Sequence, residues 1–400
     1  MKKRVLVVTP VYPADDIPKT DTPVVHYFTR EWVKMGYEVK VIHCVTNFPN
    51  IFYYLIKPFR DLIGSYEGYV IRDHPYVDKE YELEGVHVKR IAMTKMKPHS
   101  RYSKKVINAT IFKIEKFCEI NNFCPDVIIG HWLNPSIEIM PELKHKFHCL
   151  TCYVAHWTNK RTVYGDRLIN YLNDIDVIGF RSIFIREQFL NVYKVKKPSF
   201  LCYSGIPSSY LDDTFSKDFS TIKDFIYVGT MIARKCPAQI IPALSNAFGQ
   251  DPFTMLYIGT GEQLSKTKKN AIRYKVEQNV QFLGRQDRDV IINLLMKSQV
   301  FIMISIEETF GLVYLEAMAM GCITIASRNG GFDGIIKDGV NGFLCEEGNE
   351  NELSDIIKHI RTMSEAELLI ISKRAMETAT ELTDKRVAKN YIDSVFNTSK

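Results

Sequence analysis

The chain lacks an apolar run of the about 20 residues that a membrane-spanning helix needs, so no segment reads as a span. Its opening, Met1-Lys2-Lys3-Arg4-Val5-Leu6-Val7-Val8, pairs a basic flank with apolar residues, but Thr9-Pro10 ends the run too early for a signal peptide. A first buried strand is expected there. The nine cysteines are odd in number and follow no framework spacing, which excludes a disulfide scaffold and fits a reducing, cytoplasmic setting. One pair, Cys149 and Cys152, forms a C-x-x-C, but it lies in a strand-like segment. A three-residue offset there sends the two sulfurs to opposite faces, so no metal site is expected. Short repeats and low-complexity tracts are absent. The net charge of +6 comes without a nucleic-acid motif, so no nucleic-acid partner is expected. Gly259-Thr260-Gly261 lacks the third glycine of a dinucleotide fingerprint, since Leu264 stands in its place, and this argues against NAD.

Four hundred residues exceed a typical single core and suit two domains. Strands are expected at 4–8, 38–42, 86–91, 126–129, 149–154 and 177–180, with helices such as 24–35 and 103–121 among them. That alternation predicts an α/β, doubly wound sheet. Residues 207–221 are polar and turn-rich and read as a linker. A second alternation fills residues 222–383, and 384–397 forms an amphipathic segment. The expected organisation is therefore domain 1–206, linker 207–221, domain 222–383 and a C-terminal helix within 384–400. Charge divides unevenly, at +9 over residues 1–200 and −3 over the rest. Together with the aromatic segment Ile51–Arg60, the basic half could lie on anionic lipid headgroups.

The most informative stretch runs from Ser305 to Gly321. Val300–Ile304 reads as a buried parallel strand. Gly311 is expected to open a helix that Gly321 ends. The peptide N–H groups of Thr309, Phe310, Gly311, Leu312 and Val313 then lack intrahelical partners, and with the helix dipole they suit a diphosphate. Glu308 precedes this helix and Glu316 sits about 5–7 Å further along its axis. Two carboxylates flanking a diphosphate suit the hydroxyl-rich groups at its ends, with ribose at Glu316 and sugar at Glu308.

This E-x7-E segment closely resembles the signature of retaining glycosyltransferases of the GT-B fold, family 4 (glycosyl transferases group 1). Gly330-Gly331-Phe332-Asp333 and Asp338-Gly339-Val340-Asn341-Gly342 resemble the continuation of that signature, with Asp333 in place of the usual glutamate. The resemblance implies two Rossmann-like doubly wound domains facing across a cleft, with the C-terminal helix crossing back to the first domain. It implies transfer of a sugar from a nucleotide-sugar donor to a glycan or lipid-linked acceptor with retention of configuration, in surface polysaccharide biosynthesis. No cofactor or metal is implied beyond the donor. Gly229, Arg234 and Lys235 resemble the family's phosphate-gripping loop, although Thr230 stands where many members carry arginine. The two cations would stabilise the departing diphosphate. His156 matches a histidine that reaches the donor sugar, and His131 is a second candidate. Glu308, His156, Lys235 and Arg234 are the expected catalytic set, with Gly229, Thr309, Phe310, Gly311, Leu312 and Glu316 completing nucleotide-sugar binding.

The first strand-to-helix loop, Ala14–Pro23, lacks the family's paired glycines and is expected to face the acceptor. Two D-x-D triplets, at Asp174 and Asp287, read as structural, the second as a helix cap. Peripheral association with the inner face of the membrane is an open expectation. A same-fold phosphorylase or epimerase, and a non-catalytic nucleotide-sugar-binding subunit, are the alternatives.

Overall fold

The computed structural model describes residues 2–17, 23–54, 74–97, 99–156, 162–211 and 217–397. Two compact units emerge. The first takes residues up to Phe180, Glu187–Cys202 and those from Ala388 on; the second takes Arg181–Arg186 and Tyr203–Val387.

The first unit is built on strands β1 (Arg4–Thr9), β2 (Glu38–Asn47), β3 (Lys79–Leu83), β4 (Val86–Thr94), β5 (Val127–His131), β6 (Leu150–Ala155), β7 (Val177–Phe180) and β8 (Ser199–Leu201). They form one sheet in the order β3-β4-β2-β1-β5-β6-β7-β8, parallel except for the β3–β4 hairpin. Val5–Val8 and Val127–Ile129 are fully buried, as strands covered on both faces must be. Helices α1 (Val24–Lys34), α2 (Lys104–Ile120), α3 (Ser136–Phe147), α4 (Leu168–Asn173) and α5 (Ile183–Tyr193) lie between the strands in sequence. Ser103 caps α2, accepting from Val106 N at 3.3 Å.

The second unit holds β9 (Asp224–Val228), β10 (Thr254–Ile258), β11 (Val280–Gly284), β12 (Val300–Met303), β13 (Ile323–Ser327) and β14 (Phe343–Cys345). All are parallel, in the order β11-β10-β9-β12-β13-β14. Its helices are α6 (Ile240–Phe248), α7 (Leu264–Arg273), α8 (Arg288–Lys297), α9 (Leu312–Ala319), α10 (Glu350–Thr362) and α11 (Glu365–Glu381). Ser364 and Glu367 form a capping box at the start of α11. In each sheet the strand order reverses direction once, between β1 and β5 and between β9 and β12. Doubly wound sheets bind ligands at such a switch point, outside the strands' carboxyl ends. The last helix, α12 (Asp384–Asn397), begins in the second unit and passes into the first at Ala388.

Several local expectations need correction. Helix α9 starts at Leu312; Gly311 is its cap, in the left-handed conformation, not its first residue. Asp287 precedes α8 with an extended backbone but its side chain makes no capping bond. Asp176 is structural in a different way, accepting from Thr151 N at 2.9 Å and Lys144 Nζ at 2.6 Å, which ties β6 to β7. Cys152 is buried on β6 whereas Cys149 precedes that strand. Part of the aromatic segment, 55–60, and part of the linker, 212–216, lie outside the described residues.

One buried histidine makes the first unit acid-sensitive. His43 on β2 is 1% exposed, and its Nδ1 lies 3.4 Å from the Tyr81 hydroxyl. Desolvation, helped by the Arg90 charge, pushes its pKa down to about 3. The unfolded chain takes up this proton near the ordinary value of about 6.5, while the folded chain does not until pH 3. The contribution of neutral burial is therefore complete above the unfolded value and is lost as pH falls through this window. Unfolding titrations should show a loss of roughly 4–5 kcal/mol from this group between about pH 6.5 and 3, and His43→Gln should flatten that slope.

Candidate active site

The β9 and β12 strands are neighbours at the switch point, so the loops that follow them meet. The β9 loop passes Gly229 and turns through a 3-10 segment, Ala233–Lys235, into Cys236, whose φ is +49°. The β12 loop carries Ser305 to Gly311. Ile306 N donates to Arg234 O at 2.7 Å, joining the two loops. The Arg234 guanidinium donates to Ile306 O at 3.3 Å and Glu307 O at 3.2 Å. It also reaches Glu308 Oε2 at 3.4 Å, while Lys235 Nζ lies 3.7 Å from the same oxygen. Glu308 is 7% exposed, so its charge is held by these two cations and not by bulk water.

Gly311 is required by its place. Its φ is +79°, and a Cβ would overlap the Tyr314 ring and press on Glu308 Cγ. Tyr314 cannot yield, because it is buried and its hydroxyl donates to Met303 O at 2.6 Å. Gly331 allows a second close approach, since a Cβ there would overlap the Phe310 backbone. Phe310 is buried, 5.1 Å from the Phe332 ring and 5.7 Å from Tyr203. The Arg181 guanidinium lies 5.6 Å from the centre of the Phe310 ring. These contacts fix the peptide groups from Thr309 to Leu312 at the positive end of α9. Tyr314 N, bonded to Gly311 O at 2.9 Å, completes the first turn.

Glu316 is a buried group, not a solvated one, and Arg288 NH2 donates to its Oε1 at 2.6 Å. Burial pushes its pKa up, and the arginine only partly offsets that. Arg288 in turn sits over the Tyr210 ring at 5.4 Å. The sequence reading missed Arg288. It lies inside the Asp287-Arg288-Asp289 triplet, which drew attention only for its carboxylates, and no spacing rule links it to a glutamate in another helix.

In the first unit, His156 follows β6 and His131 ends β5, adjacent strands in the sheet. His156 Nε2 lies 3.0 Å from His131 Nδ1. The Trp132 ring stacks on His156 with centroids 4.0 Å apart and planes 12° apart. The expected residues thus fall into two groups. Gly229, Arg234, Lys235, Glu308, Thr309, Phe310, Gly311, Leu312 and Glu316 gather at one switch point of the second unit. His156 belongs to the first unit.

Residues 213–375 match the family model described as Glycosyl transferases group 1. An uncharacterized glycosyltransferase of Methanocaldococcus jannaschii is 25% identical over 311 residues, covering 76% of this chain and 81% of that protein. A glycosyltransferase from Rickettsia africae superposes with a TM-score of 0.72 at 17% identity, covering 100% of this chain and 99% of that one. A protein from Anabaena solved with UDP and glucose gives a TM-score of 0.65 at 14% identity, covering 99% and 100%. The fold is therefore GT-B, with two Rossmann-like domains, and the match to the group 1 glycosyltransferase model falls within the second unit.

Gly311→Ala should destabilise the second unit. A left-handed alanine costs about 1–2 kcal/mol, and overlap with a locked Tyr314 costs about 1–3 more. Denaturant titration should show a loss of roughly 2–5 kcal/mol.

Proposed function

We propose that this protein transfers a sugar from a nucleotide-sugar donor to a glycan or lipid-linked acceptor with retention of anomeric configuration, in surface polysaccharide biosynthesis. The observation that carries this reading is the buried Glu308 carboxylate against Arg234 and Lys235, beside the start of α9, with Glu316 buried one turn further on. The donor's diphosphate would lie on the α9 peptide N–H groups and take over the two cations as charge develops on the leaving group. Glu308, freed of its ion pairs, would face the sugar and stabilise positive charge growing there. Glu316 would accept from the ribose hydroxyls. His156 is carried as a contact to the donor sugar. Leaving-group charge is met by side chains and helix N–H groups in this reading, which therefore needs no metal ion.

A thermal-shift panel of UDP, GDP, ADP, CMP and NAD tests the donor site. A ligand at 100 times its Kd that binds only the folded state adds about 2.7 kcal/mol of apparent stability. One nucleoside diphosphate should raise the midpoint in wild type and lose most of its effect in Glu316→Ala. An equal shift in the variant, or none with any nucleotide, would remove the ribose assignment. With the matching sugar nucleotide, Glu308→Gln should lower kcat by about 100-fold or more while binding persists, as expected for loss of transition-state charge stabilisation. The product anomer, read by NMR, should match the donor's.

The acceptor side of the reading rests on one side of α2 in the first unit, where Lys105, Phe112 and Lys116 follow helical spacing and Phe112 is 59% exposed. Among the described residues no helix is long and apolar enough to cross a membrane. Such a face suits peripheral contact with an anionic bilayer. Sedimentation with phosphatidylglycerol vesicles should carry the protein down at low salt, and Lys105→Glu with Phe112→Glu should abolish this. Wild-type protein that stays in the supernatant would exclude the membrane contact.

A further inference from the structure

The proposed role of His156 leaves open which of its ring nitrogens carries the proton. The interior of the first unit contains a way of deciding this. His131 is fully buried and has hydrogen-bond contacts at both nitrogens: Nδ1 lies 3.0 Å from His156 Nε2, and Nε2 lies 3.2 Å from the Tyr391 hydroxyl. Tyr391, from α12, is 1% exposed. Its ring is wedged edge-on against Trp32 at 5.0 Å and Phe28 at 5.1 Å. The same helix is anchored by Trp32 Nε1 donating to Ala388 O at 2.8 Å. The phenol therefore has little freedom to leave His131.

A neutral imidazole donates through one nitrogen and accepts at the other. With His131 neutral, its two bonds must run in the same sense along the chain. If the Tyr391 O–H donates to His131 Nε2, then His131 Nδ1–H donates to His156 Nε2, and the His156 proton sits on Nδ1. If the sense reverses, the His156 proton sits on Nε2 and Nδ1 becomes an acceptor. The chemistry of the phenol favours the first sense. A phenol is a better donor than acceptor toward an imidazole nitrogen, so the Tyr391 hydroxyl passes its proton toward His131 Nε2.

We propose that Tyr391 and His131 are positioning residues that hold the proton of His156 on Nδ1, so that His156 offers a hydrogen-bond donor there and not an acceptor. No proton is gained or lost, since the chain of contacts only selects which nitrogen carries it. The Trp132 ring stacked at 4.0 Å holds the plane of His156, so the tautomer and the ring orientation are fixed by different neighbours. The consequence for sugar binding rests on the proposed contact between His156 and the donor; the tautomer itself does not.

The test uses the full-length protein labelled with 15N-histidine. Long-range 15N–1H correlation spectra are recorded at about pH 8, above the ordinary imidazole range. His156→Gln assigns the signals. The expected result is His156 with a protonated Nδ1 and a bare Nε2, the reverse of the tautomer that free histidine prefers. Tyr391→Phe keeps the ring packing but removes the donor, and should move the His156 pattern toward protonated Nε2. A wild-type spectrum showing protonated Nε2 would overturn the proposal even if Tyr391→Phe failed to fold. An unchanged His156 pattern in folded Tyr391→Phe would overturn it as well. Kinetics separate this idea from the site reading it serves. Tyr391→Phe should lower kcat for the sugar nucleotide by about tenfold with nucleoside diphosphate binding unchanged. If the Nδ1 tautomer is found but His156→Gln leaves turnover untouched, the relay stands and the donor-contact reading falls.

Discussion

Everything at the candidate site depends on the parting of the chain between β9 and β12. These strands pair, yet the connections that follow them lead to opposite parts of the sheet, β10 on one side and β13 on the other. Their loops must diverge, and the backbone groups between them face outward beyond the strand ends. The protein fills the base of this gap with charge. Arg234 bridges it by donating to two carbonyls of the opposite loop and to Glu308. Remove that guanidinium and the β12 loop loses three acceptor contacts at once, one of them from a buried carboxylate that would keep Lys235.

The two glutamates are held by different physics. Glu308 sits between two cations at 3.4 and 3.7 Å, distances long enough to be exchanged for a ligand's oxygens without breaking an ideal pair. Glu316 has one short contact with Arg288 and is buried deeply enough that desolvation raises its pKa. A carboxylate in that state gains from further hydrogen-bond donors. In the proposed reading ribose hydroxyls would supply them, while Arg288 is bonded to Oε1. The first glutamate is thus suited to change partners, and the second to add one.

The alternation of strands and helices was legible because both sheets are buried on two faces and their strands read as apolar runs. Val5–Val8, Val127–Ile129 and Val300–Ile302 show it most clearly. Edge strands were not legible. Lys79–Leu83 alternates charge with half-buried residues and among the described residues pairs only with β4, and Ser199–Leu201 is three residues long. At the site, glycines and carboxylates in one local segment could be read because their spacing is set by one short loop and the helix it leads into. Arg288 and Tyr391 could not. Each acts on a residue far away in sequence, and their partners are chosen by packing. Tyr391 in particular looks like one apolar position of an amphipathic helix until the fold puts His131 beside its hydroxyl.

The departure of the first loop from the family's glycine pattern has a physical counterpart in the first unit. The loop after β1 is held by side chains where glycines would otherwise allow a tight backbone approach. Arg90, 1% exposed, donates to Asp16 at 2.6 Å and to Val77 O at 3.0 Å. Tyr81 donates to Pro13 O at 2.8 Å, and Ile17 N closes a turn onto Ala14 O at 3.1 Å. These bonds fix residues 13–17 of the loop by side chains; residues 18–22 lie outside the described residues. The same guanidinium that anchors the loop adds to the burial that keeps the His43 imidazole neutral, so loop shape and acid sensitivity share one of their causes.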